Sequence, residues 1–223
     1  MGMTRNLMQA GFPVRVYDTR PEAVATLVAE GAQGAATPGE AATEVDLLAV
    51  CVFNAAQAEI ALFGEDGAVA GLPADAVVMM HTTLAAHEAV ALAERLAATG
   101  HRLVDAPVTG GKAGADAGSL TIIASGDAES FERVTPAFEA MGRRVYRVGD
   151  VVGAGSTVKM VNQLLVGVHT IAAVEAMTLA VKAGADPRTV YDVITHGGGN
   201  SVSFKTRMPF IFDEDFAPRG VVE

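Results

Sequence analysis

A chain of 223 residues, half of them hydrophobic and 19% charged, is long enough to bury a full core in one large domain or two smaller ones. Sixteen Lys and Arg against 26 Asp and Glu leave a net charge of −10 with no basic run, which argues against nucleic acid as a partner. A single cysteine, Cys51, rules out an internal disulfide, and no signal peptide or uninterrupted apolar span of about 20 residues is apparent, so a soluble cytoplasmic protein with no membrane partner is expected.

The opening "MGMTRNLMQAGFPVRVYD" reads as a helix, a tight turn and a strand ending in Asp18, with no strand in front. That is the second half of a βαβ unit, and both ends of the chain read as cut. The apolar runs "VRVYD", "DLLAVCVF", "DAVVMM", "RLVDAPV", "SLTIIASG" and "RRVYRVG" follow as strands. Between them lie Ala- and Glu-rich segments with helical spacing, of which "PEAVATLVAEG" and "LAAHEAVALAERLAATG" each close on a glycine. Strands alternating with helices indicate a mostly parallel sheet. Cys51, inside "DLLAVCVF", reads as a buried structural thiol.

Past Gly149 the pattern changes. "GSTVKMVNQLLVGVHTIAAVEAMTLAVKAGAD" is apolar almost all round, as in a helix buried between others. "PRTVYDVITHGG" and "SFKTRMPFIFDED" read as two more helices, with "GGGNS" between them, and the chain stops at "APRGVVE" without a cap. The expected architecture is α/β. A Rossmann-type doubly wound sheet without its first strand spans residues 1–150. An all-helical domain, incomplete at its C-terminus, spans 151–223, and one long helix joins the two.

Three motifs carry chemistry. A dinucleotide-binding unit needs a glycine-rich turn before a helix and an acidic residue about 20 residues further on. Gly2 fits the last glycine, where helix and strand pack closely, and Asp18 fits the acid that bonds both ribose hydroxyls, favouring NAD over NADP. Arg20 could instead meet a 2′-phosphate.

The second motif is "DAPVTGGKAGADAGSLTIIASG". Thr109, Gly110 and Gly111 offer a hydroxyl and unhindered consecutive N–H groups, a nest for a carboxylate. A plain glycine turn would not need the further small residues Gly114 to Gly118. The third is "GAGSTVKMVNQ", whose glycines allow close backbone approach to a nicotinamide ring. Lys159 lies near the positive end of the long helix among apolar neighbours, which lowers its pKa toward a value useful for proton transfer, and Asn162 shares its face at i+3. The five histidines show no ligand spacing, so no metal site is expected. His169 reads as a core or interface residue.

Together these motifs resemble the β-hydroxyacid dehydrogenase family over essentially the whole chain. The family's G-L-G-x-M-G turn survives here only as Met1 and Gly2. "FNAAQ", "LFGEDG", "KMVNQLLVGVH", "VEAM" and "GNS" look most similar to its L-threonate-oxidising branch. The resemblance implies NAD-dependent oxidation of a short anionic hydroxy acid, L-threonate at C2, with Lys159 as acid/base. Thr109, Gly110, Gly111 and Asn162 would hold the substrate, and Gly2, Met3, Asp18, Asn54 and Thr83 the cofactor. Two departures bear on substrate choice: Asn162 stands where branch members often carry His, and His81-Thr82-Thr83 replaces a Ser-Ser-Thr. The rivals are 3-hydroxyisobutyrate or tartronate semialdehyde as substrate, or a non-catalytic binding or dimer module. The long apolar helix suits a homo-oligomer.

Overall fold

Apolar runs bounded by glycine and proline become strands, and the Ala-rich segments between them become helices that cover the sheet. In the computed structural model, which describes residues 1–213, the order is α1 (Gly2–Gln9), β1 (Arg15–Val16), α2 (Pro21–Ala29), β2 (Gln33–Gly34), α3 (Pro38–Ala41), β3 (Leu47–Val50), α4 (Ala55–Phe63), β4 (Val77–Met80) and α5 (Ala86–Ala98). Next come β5 (Arg102–Asp105), β6 (Val108–Thr109), α6 (Gly111–Asp116), β7 (Leu120–Ser125), α7 (Ala128–Met141) and β8 (Gly142–Gly149). Three helices complete the described residues: α8 (Ala154–Lys182), α9 (Pro187–Thr195) and α10 (Val202–Phe212). The chain divides into two compact units, Met1–Met160 and a second that begins at Val161. The expected helix end at Glu214 and Asp215, and the uncapped "APRGVVE", lie outside the described residues.

The first unit is a layered α/β structure of Rossmann type. β1 and β2 pair in parallel as a two-stranded sheet of their own. The larger, six-stranded sheet joins β3, β4 and β5 in parallel, then β7 antiparallel to β5 and β6, with β8 parallel to β7. Among the described residues no strand bridges β1 and β3. Expected "VRVYD" shrinks to the pair Arg15–Val16, and "RLVDAPV" splits at Ala106-Pro107 into β5 and β6.

Alternation along β4 shows how the core is built. Val78 and Met80 pack on the side of α4 and α5 with Leu62, Leu92 and Leu96. Val77 and Met79 face the other way, against Val134, Phe138 and Met141 of α7. All four side chains of the strand are buried, so it reads as a continuous apolar run, as a central parallel strand should. β8 is an edge strand and carries exposed Arg143, Arg144 and Arg147, which suit an edge that must not pair further.

The second unit has a small core of Ala173, Met177, Phe204 and Met208, with Tyr191 stacked on Phe204. Asp186 and Ser201 cap α9 and α10 through their side chains.

Four expectations need correcting. α8 is not enclosed by other helices: Val161, Leu164, Leu165, Val168, Ile171 and Leu179 are exposed, because α9 and α10 cover only a small part of its surface. His169 is exposed with them and is no core residue. Cys51 is also exposed, since β3 ends one residue before it. By length and composition α8 would suffice to cross a membrane, a span the sequence was not expected to contain.

Candidate active site

Strand register brings the carboxyl ends of β3, β4 and β5 level with one another. Val50, Met80 and Asp105 stand side by side at the ends of β3, β4 and β5, and Asp105 faces Ser125 across the antiparallel pair. Beyond these ends the connections are tied to one another. The Val52 N–H donates to Thr82 Oγ1 at 3.1 Å, and His81 Nδ1 donates to the Ala106 carbonyl at 2.7 Å. These bonds bring the loops carrying Asn54 and Thr83 together, and both residues are exposed there. Asn54 has a structural task too: its Oδ1 accepts the Gln57 N–H at 2.9 Å, and Gln57 returns the bond to the Phe53 N–H, which starts α4.

With its Nδ1 donating, His81 carries its lone pair on Nε2, which is buried and has no partner among the described residues. Burial lowers the ring's pKa and keeps it neutral beside the edge of Phe138.

The dinucleotide candidates have mixed surroundings. α1 begins at Gly2 with no side-chain cap, so its first N–H groups are free to meet an anion. Gly2 was expected to pack against a strand; instead a Cβ there would stand 2.6 Å from the Ala115 carbonyl carbon of α6. Two helices meet at that point, and Asn6 fastens them by donating to the Ala115 carbonyl at 2.7 Å. The Met3 side chain packs on the core, which leaves its N–H as the group it can offer. Asp18 accepts from the Arg20 backbone N–H at 2.9 Å and from its guanidinium at 3.0 Å. That guanidinium holds the carboxyl below the usual range. Asp18 has no hydrogen bond or ion pair to the other candidates among the described residues.

Thr109 ends β6 opposite Thr121. Gly110 and Gly111 follow at φ 128° and 61°, a consecutive left-handed pair that requires glycine. Their N–H groups open α6 at an exposed turn. The later small residues have a packing reason of their own. Gly114 lies under Leu120, and Gly118 faces Asn6.

Lys159 is only 6% exposed, and burial alone lowers its pKa, with no carboxylate opposing the shift. Its helix starts hard against the sheet. A Cβ on Gly155 would stand 2.6 Å from the Ile123 carbonyl oxygen and 2.8 Å from that of Asp105. This glycine, expected to admit a nicotinamide, lets α8 close on β5 and β7. Asn162 belongs to the second unit, three residues further along α8, and donates to Gln163 at 3.1 Å. Among the described residues no cluster of His, Cys, Asp or Glu could hold a metal.

Asp105, Ser125 and Ser156 escaped the sequence reading although all three are fully buried. The signal was a carboxylate inside the apolar run "RLVDAPV" and a serine closing "LTIIAS", polar groups that burial obliges to find partners.

Known proteins match this arrangement along its whole length. Residues 1–149 match a family model described as the NAD-binding domain of 6-phosphogluconate dehydrogenase. Residues 153–223 match one described as the NAD-binding region of NADP-dependent 3-hydroxyisobutyrate dehydrogenase. The L-threonate dehydrogenase of Cupriavidus necator is 41% identical over 222 residues, covering 100% of this chain and 75% of that one. The 3-hydroxyisobutyrate dehydrogenase of Pseudomonas aeruginosa is 36% identical, over 93% of this chain and 70% of its own. A crystal structure named 3-hydroxyisobutyrate dehydrogenase, from Salmonella typhimurium, superposes with a TM-score of 0.92 at 42% identity, covering 98% of this chain and 76% of that one.

Proposed function

The chain belongs to the β-hydroxyacid dehydrogenase family related to 3-hydroxyisobutyrate dehydrogenase, and within it we propose that it oxidises L-threonate at C2, with NAD as acceptor. Membership makes it an NAD(P)-dependent oxidoreductase acting on a hydroxy acid. The substrate reading rests on its 41% identity to proteins named L-threonate dehydrogenase.

The observation that carries the chemistry is Lys159, a buried amine with no counter-ion among the described residues, in the first turns of a helix tied to the ends of β5 and β7. Its neutral Nζ takes the proton of the hydroxyl being oxidised. Thr109 Oγ1 and the N–H groups of Gly110 and Gly111 bind the substrate carboxylate and select which carbinol reacts. Asn162 orients that hydroxyl. The free first-turn N–H groups of α1, at Gly2 and Met3, suit a pyrophosphate, and Asn54 and Thr83 line the cofactor. The bound nicotinamide supplies the hydride acceptor. Position and a tuned base are the protein's share.

NAD is preferred because the Asp18 carboxylate both accepts ribose hydroxyls and holds Arg20 away from a 2′-phosphate. Asp18→Ser should free Arg20 and raise the NADP:NAD ratio of kcat/KM by about tenfold, the worth of a hydrogen bond to a charged group. An unchanged ratio would remove Asp18 from cofactor choice. The exposed apolar face of α8 suits a second copy of the chain, because Gln163, His169 and Glu175 interrupt it too often for lipid. A homo-oligomer is the assembly this reading calls for.

The deciding experiment measures NADH formation from L-threonate beside 3-hydroxyisobutyrate, with tartronate semialdehyde tested in the reverse direction. The highest kcat/KM on L-threonate is expected. A higher value on another acid would transfer the assignment to that acid, and no turnover of any would favour a binding or dimer module.

A further inference from the structure

Asp105 takes no part in the roles assigned so far, yet four hydrogen bonds converge on its side chain. Its carboxylate is fully buried. Oδ2 accepts the backbone N–H of Gly153 at 3.1 Å and of Ser156 at 2.8 Å, while Oδ1 accepts the Ser156 hydroxyl at 2.8 Å. Ser125, its register partner on β7, donates to Oδ2 at a longer 3.4 Å and accepts the Gly155 N–H at 2.9 Å. The N–H groups of Gly153, Gly155 and Ser156, which a helix start would otherwise leave without partners, are thus all held by side chains from two strands.

The contacts fit an ionised carboxylate. Each of its partners is a donor, and the helix dipole at this end favours negative charge. Burial holds the Asp105 pKa above the usual carboxylate value, and the bonds from Ser156, Gly153 and Ser125 offset part of that rise. A charge buried without such bonds would be costly, so the network and the carboxylate require each other. Close approach adds to the hold, since Gly155 has no side chain between the helix and the carbonyls of Ile123 and Asp105.

Lys159 stands three residues beyond Ser156 and four beyond Gly155, on the same face of α8 one turn higher. We infer that Asp105 is a positioning residue: through Ser156 and the first turn of α8 it fixes where the Lys159 amine sits for proton transfer. A helix start free to slide or fray would carry the lysine with it, and a misplacement of about 1 Å can cost 10²-fold in rate. The inference rests on Lys159 as the acid/base, and its test separates the two ideas.

The test compares Asp105→Ala and Asp105→Asn with the parent chain. Three quantities are read: kcat and KM for the hydroxy acid, amide exchange over residues 153–159, and the rate at which trinitrobenzenesulfonate labels Lys159, followed by mass spectrometry. Asparagine keeps an oxygen for the two N–H groups, and its amide can donate to a turned Ser156 hydroxyl. Asp105→Ala should lower kcat by about 10²-fold with KM changed little, and should speed exchange and labelling at this helix start above the rest of the sheet. Asp105→Asn should recover most of each. Unchanged labelling and exchange in a folded alanine variant would overturn the inference. So would asparagine rescuing thermal stability without rescuing kcat or the labelling rate. Should Asp105→Ala fail to fold, Ser156→Ala removes one strut and should move the same readouts in the same direction; no movement there would also overturn it. If Lys159→Ala kept its kcat while the Asp105 variants still loosened the helix start, the lysine assignment would fall and the clamp would stand.

Discussion

Lys159→Ala lowers kcat for hydroxy-acid oxidation by about 10²–10⁴-fold, the range for losing a positioned acid or base, and leaves cofactor affinity nearly unchanged. The substitution removes a buried amine that makes no ion pair among the described residues, so little of their structure depends on it. Titration of the variant with NADH by fluorescence checks the second half, and equal loss of binding would end the acid/base assignment. The pH profile follows from the same burial. Oxidation needs the neutral amine, so in the parent chain kcat/KM rises with pH through the Lys159 pKa, with a midpoint below the 10.5 of a free lysine.

Stability carries the matching sign. Between the lowered pKa of the folded state and 10.5, the unfolded chain binds the proton and the folded chain does not, so stability rises with pH across that window. Lys159→Met is therefore more stable than the parent at low and neutral pH, and the difference closes as pH passes 10.5. Urea titrations at several pH values measure it, and a constant difference would show that the amine is not effectively buried. A group kept at a cost in stability fits a functional role.

Gly155→Ala produces the second large effect, through backbone instead of charge. Its Cβ would lie 2.6 Å from the Ile123 carbonyl oxygen, and neither that strand nor the helix start can step aside as a flexible side chain could. Overpacking of this kind costs about 1–3 kcal/mol, and the displaced helix start carries Lys159 with it. Activity should fall by about 10²-fold beyond any loss of folded protein. Gly198→Ala is the control, with open space around its Cβ and no left-handed backbone, and should be neutral or slightly stabilising. Equal melting temperatures for the two variants would show that the α8 start yields where the geometry holds it rigid.

Much of this molecule was legible residue by residue. Strand and helix types depend on local periodicity, so "DAVVMM" and "LAAHEAVALAERLAATG" could be read without neighbours and reappear as β4 and α5. Lys159 could be singled out because a cation at a helix start among apolar residues is an anomaly on any fold. The TGG turn could be singled out because its consecutive glycines permit a backbone other residues avoid, and Gly110 and Gly111 adopt it.

Other features depend on contacts between distant segments, which no local pattern encodes. Asp105 meets Ser156 across 51 residues, and Gly2 meets Ala115 across more than a hundred. The reasons for Gly2, Gly114, Gly118 and Gly155 therefore lay in packing that only the assembled fold creates, although ligand contacts explained their pattern equally well along the chain. The surface of α8 shows the same limit from the other side. Its composition signals burial, but only the packing of α9 and α10 shows that the described residues leave the face open. Composition states what a segment needs from its surroundings; the three-dimensional arrangement decides what it receives.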